Sequence, residues 1–413
     1  MNKNPCSFAA KLIKEAEMKH PQVILMKGKE VAILRGHTWV FSGAVQKLII
    51  DDKEPEEGQI VSLCDSAGTH LGWGHWHSTG SIVVRLLSRE SQFPDTTYWI
   101  KVVQSAVNKR KTLGLPNRET DAFRLIHGEG DQLPGLVVDV YGTNTVVQCH
   151  TTGMWLMRQV WAEVIENAMP EHSKGIVVLD ERGRGKKEAP FFAKGHCEST
   201  TIIENGLKFY VDWITGQKTG FFIDQRDNRK LLQQFCKGKK VLNAFSYSGG
   251  FSVYALQSGA SLVHSVDISK AAVHLAELNV SANFSDEMAS KHKAICADVM
   301  AYLLEMPEKY DVVILDPPAF AKRRDARHKA IIGYKNLNYK ALRQMKPGDI
   351  LFTFSCSQVV DVHMFEGAVT SAAIEAGRTV SILHRLRQPA DHPVNLNHPE
   401  TDYLKGLVLY IDR

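Results

Sequence analysis

From Lys239 onward, short apolar runs alternate with stretches of helical periodicity, and no other feature limits the possible folds so tightly. Seven runs read as strands: VLNAF, LVHSVD, KAICAD, DVVILD, DILFTFS, TVSILHRL and KGLVLYID. Helical patterns lie between most of them, including residues 250–258 and 269–282. Parallel strands cannot be joined by tight turns. A strand–helix alternation therefore predicts an α/β fold on a doubly wound, mostly parallel sheet. In such a sheet the ligand site lies outside the carboxyl ends of the strands.

At 413 residues the chain is too long for one ordinary core, and the pattern upstream of Lys239 is different. Residues 1–21 read as a polar, partly helical extension. Over residues 22–95, the short runs VILMK, EVAIL, HTWVFSGAV, QIVSLCD, HLGWGHW and SIVVRLL are punctuated by glycines, the pattern of a small β-barrel. Residues 97–116 read as a helix. Trp99, Val102, Val103, Ala106, Val107 and Leu113 follow helical spacing, and Gly114 and Pro116 stop it. Strands near 123–127, 135–141 and 144–150, a helix near 154–168 and a strand at 175–180 complete a central α+β domain over 96–200. A hairpin at 201–214 opens the last domain, 201–413.

The first strand of the α/β region runs into Asn243-Ala244-Phe245-Ser246-Tyr247-Ser248-Gly249-Gly250. Small residues there let a ligand approach the backbone, and the helix that follows offers amide donors. A plain glycine turn packing helix on strand explains the same residues. Three acids add weight to a ligand: Asp267 ends the second strand, Asp298 follows the third and Asp316 ends the fourth. A carboxylate at the second position can accept from ribose hydroxyls, and one after the third strand from an adenine amino group. Each alone would read as a helix N-cap. With no P-loop lysine, the trio points to an adenosyl ligand without a phosphate chain.

Asp316-Pro317-Pro318 ends a strand rigidly and fixes a carboxylate against a flat base edge. Cys356, in Phe354-Ser355-Cys356-Ser357, follows the next apolar run. A lone cysteine is usually a small buried hydrophobe. At the carboxyl edge of a strand beside an acid, it reads as a nucleophile for a pyrimidine ring. A thiol titrates near about 8.5, so the site must lower that value or remove the proton. Lys322, Arg323, Arg324 and Arg327 follow the Asp-Pro-Pro as phosphate contacts or a solvated helix face. Arg182 to Lys187 is a second basic run, and Lys237 to Lys240 reads as a turn. Residues 215–229 fit either a helix start beneath the sheet or a lid over the ligand.

Composition is that of a soluble protein, with 44% hydrophobic and 23% charged residues, and a net charge of +5 permits nucleic acid without demanding it. The seven cysteines are scattered without a CxxC, which argues against structural zinc and a disulfide framework and suits a reducing compartment. No signal peptide and no membrane span of about 20 apolar residues is expected, so the location reads as cytoplasmic.

The ordered set HTWVFSGAV, GQKTGFFIDQRDNR, VLNAFSYSGGFSV, VDIS, DPPAF, FTFSCS, QPADHP and YLKG resembles the RlmI-type ribosomal RNA cytosine-5 methyltransferases, from about residue 22 to the end. The resemblance implies a PUA barrel over 22–95 and a Rossmann-like class I methyltransferase domain over 201–413. S-adenosylmethionine would be the cofactor and RNA, 23S in particular, the partner. Asn243, Phe245 to Gly250, Asp267, Ile268, Asp298, Asp316 and Pro317 would line the cofactor pocket, with Gln225 near the methionine end. Cys356 falls on the family's nucleophile and Asp316 beside it. Arg35, His37 and Trp39 would contact RNA. Thr38 replaces the family's usual proline. The family's reaction would proceed by thiolate addition to C6, with Asp391 or His392 as candidate base for the C5 proton. No metal or membrane is expected, and a homodimer is compatible with the sequence. Uracil-5 methylation, exocyclic amino methylation and a non-catalytic RNA-binding factor are the alternatives.

Overall fold

The computed structural model describes residues 20–50, 53–183, 187–214, 216, 219–321 and 323–413. The chain forms two compact units. The first comprises residues 1–200, 212–219 and 390–401, and the second residues 201–211, 220–389 and 402–413. The extension at 1–19 lies outside the described residues.

The first unit holds two sheets. β1 (Gln22–Leu25), β2 (Trp39–Phe41), β3 (Val45–Ile49), β4 (Ile60–Cys64), β5 (His70–Trp76) and β6 (Ile82–Ser88) form a six-stranded sheet in the order β2-β6-β5-β4-β1-β3. Its core gathers Val23, Leu25, Ile33, Val40, Val61, Leu63, Val84 and Leu86. EVAIL, expected as a strand, is instead a helix over Glu30–Leu34. Val31 and Leu34 are exposed and Ile33 alone is buried. A five-residue run carries too little periodicity to separate the two forms.

β7 (Ala122–His127), β8 (Leu136–Tyr141), β9 (Asn144–Cys149), β10 (Gly175–Asp180) and β11 (Phe191–Lys194) form the second sheet, ordered β11-β10-β9-β8-β7. β11 has no counterpart in the sequence reading. The predicted helix at 97–116 spans Thr96–Thr112, capped by Asp95, whose carboxylate accepts the Tyr98 N–H. It buries Trp99 edge-on to Trp161, with ring centroids 5.3 Å apart. The helix expected at 154–168 is broken at Met157 into Thr152–Leu156 and Arg158–Ala168.

In the second unit, β12 (Ser199–Glu204) and β13 (Leu207–Asp212) form the expected hairpin, most of which belongs here. β14 (Lys240–Ala244), β15 (Leu262–Asp267), β16 (His292–Cys296), β17 (Val312–Leu315), β18 (Ile350–Ser355), β19 (Val380–Leu386) and β20 (Lys405–Ile411) build the seven-stranded sheet. Its order is β16-β15-β14-β17-β18-β20-β19. The five strands from β16 to β18 are parallel, while β20 runs antiparallel to both β18 and β19. All seven apolar runs are therefore strands, and the sheet is mixed. Antiparallel β20 starts at the edge where the parallel strands end: Ser355, last in β18, pairs with Lys405, first in β20. Among the described residues, no helix is long and apolar enough to cross a membrane.

Candidate active site

The loop after β14 is bent at two residues that carry side chains. Phe245 and Tyr247 have φ of 60° and 43°. Such left-handed conformations cost side-chain-bearing residues about 1–3 kcal/mol each and persist where the surroundings enforce them. Here the Ser246 N–H donates to Val266 O (3.1 Å) and the Gly249 N–H to Ser246 O (2.8 Å). Asp267 accepts the Tyr247 N–H at Oδ2 (3.0 Å) and the Ser269 N–H at Oδ1 (2.9 Å). Asn279, fully buried, donates to Ser248 O (2.8 Å) and accepts the Tyr210 N–H (2.8 Å), tying the loop to the hairpin. Asn279 is a support that the sequence reading missed; a polar residue inside a helix carries no signature of its own.

The glycine pair has a packing reason. Gly249 has φ 73°, and a Cβ there would lie 2.8 Å from the Ala276 Cβ; one on Gly250 would lie 3.0 Å from the Arg229 Cδ. The glycine-turn explanation thus accounts for both residues, and the ligand argument rests on the groups around them. Ser246 Oγ and Asn243 Oδ1 are buried without a hydrogen-bond partner among the described residues. The Asn243 amide donates to Ser252 Oγ (2.9 Å). Each Asp267 oxygen accepts one loop N–H and retains a lone pair for a further donor. Ile268 beside it is 71% exposed, an open apolar face. Asp298 caps the helix Val299–Tyr302, accepting the Ala301 N–H (2.8 Å), and remains exposed. Two acids, orphaned buried oxygens and an apolar face fit a nucleoside.

Residues 219–229 are packing elements rather than an exposed lid. Gln225, 2% exposed, accepts from the Asn228 amide (2.6 Å), and Asp224 accepts from the Tyr403 hydroxyl (2.6 Å). Arg229 forms a bidentate pair with buried Glu204 (2.8 and 2.7 Å). Thr215, Gln217 and Lys218 lie outside the described residues.

Asp316 and Cys356 leave adjacent parallel strands at one edge. Leu315 pairs with Thr353, so Asp316 follows directly and Cys356 stands three residues on. Both side chains are half-buried, and Pro317 is buried. Tyr334, fully buried, responds to both. Burial pushes its phenol up to about 12, Cys356 and Asp316 push the same way, and the Ser355 hydroxyl opposes them. Phe320 lies against Tyr334 at 4.6 Å between ring centroids. The segment after Cys356 is anchored: Ser357 Oγ donates to Ala321 O (2.5 Å), and Lys405 Nζ donates to Ser357 O (2.7 Å) and Val360 O (2.6 Å). Cys149 and Cys236 are ordinary core cysteines; burial pushes the Cys236 thiol up to about 12 and also raises that of Cys149.

The basic run beyond the Asp-Pro-Pro is exposed at Arg323, Arg324 and Arg327, while Lys322 lies outside the described residues. Arg35 is exposed. His37 and Trp39 are engaged within their own unit. The Trp39 indole donates to Glu129 (2.9 Å), and the His37 ring faces His398 (4.4 Å between centroids) and Glu400. His37, His398 and Glu400 could crowd round an ion, but the Trp39 N–H donates to His37 Nδ1 (3.1 Å). His37 Nδ1 also lies 3.3 Å from Trp39 O, and Nε2 lies 3.8 Å from Glu400. In the second basic run, Arg182 is paired with Asp180 and Glu188 (both 2.7 Å) and Lys187 with Glu181, while Arg184 and Lys186 lie outside the described residues. Gly238, with φ 72°, makes the expected turn before β14. Asp391 and His392 are buried in the first unit. There Arg110 donates to Asp391 O (2.6 Å) and the Arg124 N–H to its carboxylate (3.0 Å).

A family model described as S-adenosylmethionine-dependent methyltransferase matches residues 154–399, and one described as PUA-like domain matches residues 23–89. Large-subunit ribosomal RNA methyltransferase I of Tolumonas auensis is 35% identical over 394 residues, 94% of this chain and 98% of that protein. The enzyme of the same name from Salmonella typhi is 35% identical over 396 residues, 94% and 97% of the two chains. Among solved structures, a chain described as a SAM-dependent methyltransferase from Streptococcus mutans superposes with a TM-score of 0.79 at 24% identity, covering 94% of this chain and 99% of that one. A methyltransferase complexed with S-adenosylhomocysteine superposes with a TM-score of 0.80, at the same identity and coverage. S-adenosylmethionine is the cofactor of this family. The chain belongs to the S-adenosylmethionine-dependent methyltransferases, in the group of large-subunit ribosomal RNA methyltransferase I, with a PUA-like domain ahead of its catalytic sheet.

Proposed function

We propose that this enzyme methylates C5 of a cytosine in 23S ribosomal RNA, with Cys356 as nucleophile, and that it works in the cytoplasm. The observation that carries the reading is a half-buried thiol beside a carboxyl group at the edge of β17 and β18. The large-subunit ribosomal RNA named for relatives of 35% identity supports the substrate class. S-adenosylmethionine supplies a methyl group on a sulfonium. Asp267 and the strained 245–249 loop hold its nucleoside, Asp298 and Ile268 flank it, and Gln225 lies toward the methionine end. The Cys356 thiolate pair forms the bond to C6, and the displaced ring π electrons run through C5 and C4 to N3, which makes C5 nucleophilic. Asp316, as the carboxylic acid, donates a hydrogen bond to N3 and stabilises the negative charge that develops there. C5 takes the methyl group as its bond to the sulfonium breaks and S-adenosylhomocysteine leaves; the C5 proton then goes to a base, and the electron pair of that bond expels the Cys356 sulfur from C6 and restores the double bond. A base stacked in a duplex is out of reach, so the target is unpaired or flipped. Arg35, Arg323, Arg324 and Arg327 are the exposed cations offered to phosphates.

Nucleoside mapping of 23S RNA from cells with and without the gene tests this reading. One 5-methylcytidine should vanish with the gene and return with the wild-type protein but not with Cys356→Ala. Loss of 5-methyluridine or of an N-methylated base instead would assign the enzyme to another reaction.

A further inference from the structure

Lys405 opens β20 directly across the ladder from Ser355, the residue before Cys356. It is only 6% exposed. Two of its three N–H donors go to Ser357 O and Val360 O, the carbonyls that bracket the turn after Cys356. Ser357 O also accepts the Val360 N–H (3.2 Å), so the lysine caps a turn that is already closed. Among the described residues no carboxylate forms an ion pair with this ammonium. A buried charge held only by neutral carbonyls is costly and calls for a negative partner. Cys356, as thiolate, and Asp361 favour the charge, while burial and Arg387 oppose it. Burial holds Lys405 down to about 8, which leaves it mostly protonated at neutral pH.

We propose that Lys405 is a positioning residue for methyl transfer: it fixes the 356–360 turn, and its ammonium stabilises the Cys356 thiolate. The thiol proton leaves to water, and Lys405 keeps its own and bonds nothing in the substrate. The proposal rests on the nucleophilic role of Cys356 given above.

The test follows alkylation of Cys356 by iodoacetamide against pH, resolved by peptide mass in the full-length protein without RNA. Wild-type Cys356 should titrate at or below the ordinary thiol value of about 8.5. Lys405→Met should raise the midpoint by about one unit, roughly tenfold less thiolate at neutral pH, and Lys405→Arg should largely restore it. In methylation assays kcat should fall with the same displacement of the pH profile, with KM for RNA and affinity for S-adenosylmethionine unchanged. Superimposed alkylation profiles for wild type and Lys405→Met would overturn the proposal while leaving the nucleophile in place. If Lys405→Met does not fold, the wild-type profile decides, since a Cys356 midpoint above about 9 would also overturn it. An active Cys356→Ala enzyme would instead end the nucleophilic reading without touching the alkylation result.

Discussion

Two buried cations in the second unit are handled in opposite ways. Arg229 is 3% exposed and meets fully buried Glu204 through two parallel hydrogen bonds, with Tyr254 donating to the same carboxylate (2.9 Å). Its charge is answered on the spot, its guanidinium is held above the ordinary range by Glu204, and it serves packing. Lys405 is also buried but is held by carbonyls, and burial depresses it. A charge matched by its own salt bridge has nothing left to offer a third group. A charge left unmatched beside a thiol can act on it.

The comparison breaks most visibly at the partners. Cys356→Ala should abolish methylation while leaving the thermal unfolding midpoint within a few degrees of wild type, because a half-buried side chain is removed. A turnover assay with a parallel melt checks both halves. Glu204→Gln should do the reverse. It leaves the buried Arg229 charge unmatched and should cost about 3–5 kcal/mol in denaturant unfolding, with activity lost only as the fold is lost. A smaller effect is expected on the cofactor side. Asp267→Asn weakens two backbone anchors of the loop and the acceptor for ribose, and should reduce S-adenosylmethionine affinity by about 1.5–3 kcal/mol in calorimetry.

The smallest effect is in pH. Lys405 titrates near 8 in the folded enzyme and near 10.5 unfolded, so between those values the unfolded chain binds more protons. Stability relative to Lys405→Met should therefore rise as pH goes from about 8 to 10.5, whereas Arg229 contributes no such slope. Denaturant midpoints of the two proteins across that window check the sign. A flat difference would mean that the Lys405 charge is as well matched as that of Arg229.

Much of the catalytic sheet was legible because an apolar run ending in an acid is a local pattern. Asp267 and Asp316 stand at strand ends as read, and Cys356 follows β18. The sense of β20 was not legible, since an apolar strand reads the same in either direction. The Glu30–Leu34 helix was missed because one buried residue in five gives no period. His37 and Trp39 read as RNA contacts, and nothing in the sequence signalled that their rings meet Glu129, His398 and Glu400, residues distant in the chain. Nor did Asp391 show its contacts, since Arg110 donates to its carbonyl and the Arg124 N–H to its carboxylate from far along the chain.

The sequence by itself determined the alternating strands, the small-residue turn, the acids at strand tips and the cysteine that follows β18. Each of these is a property of neighbours along the backbone. Only the tertiary structure decided that β20 returns antiparallel and delivers Lys405 beside Cys356. Burial and electrostatic pairing are set by which distant segments share space, and a lysine in an apolar run carries no mark of what will surround it.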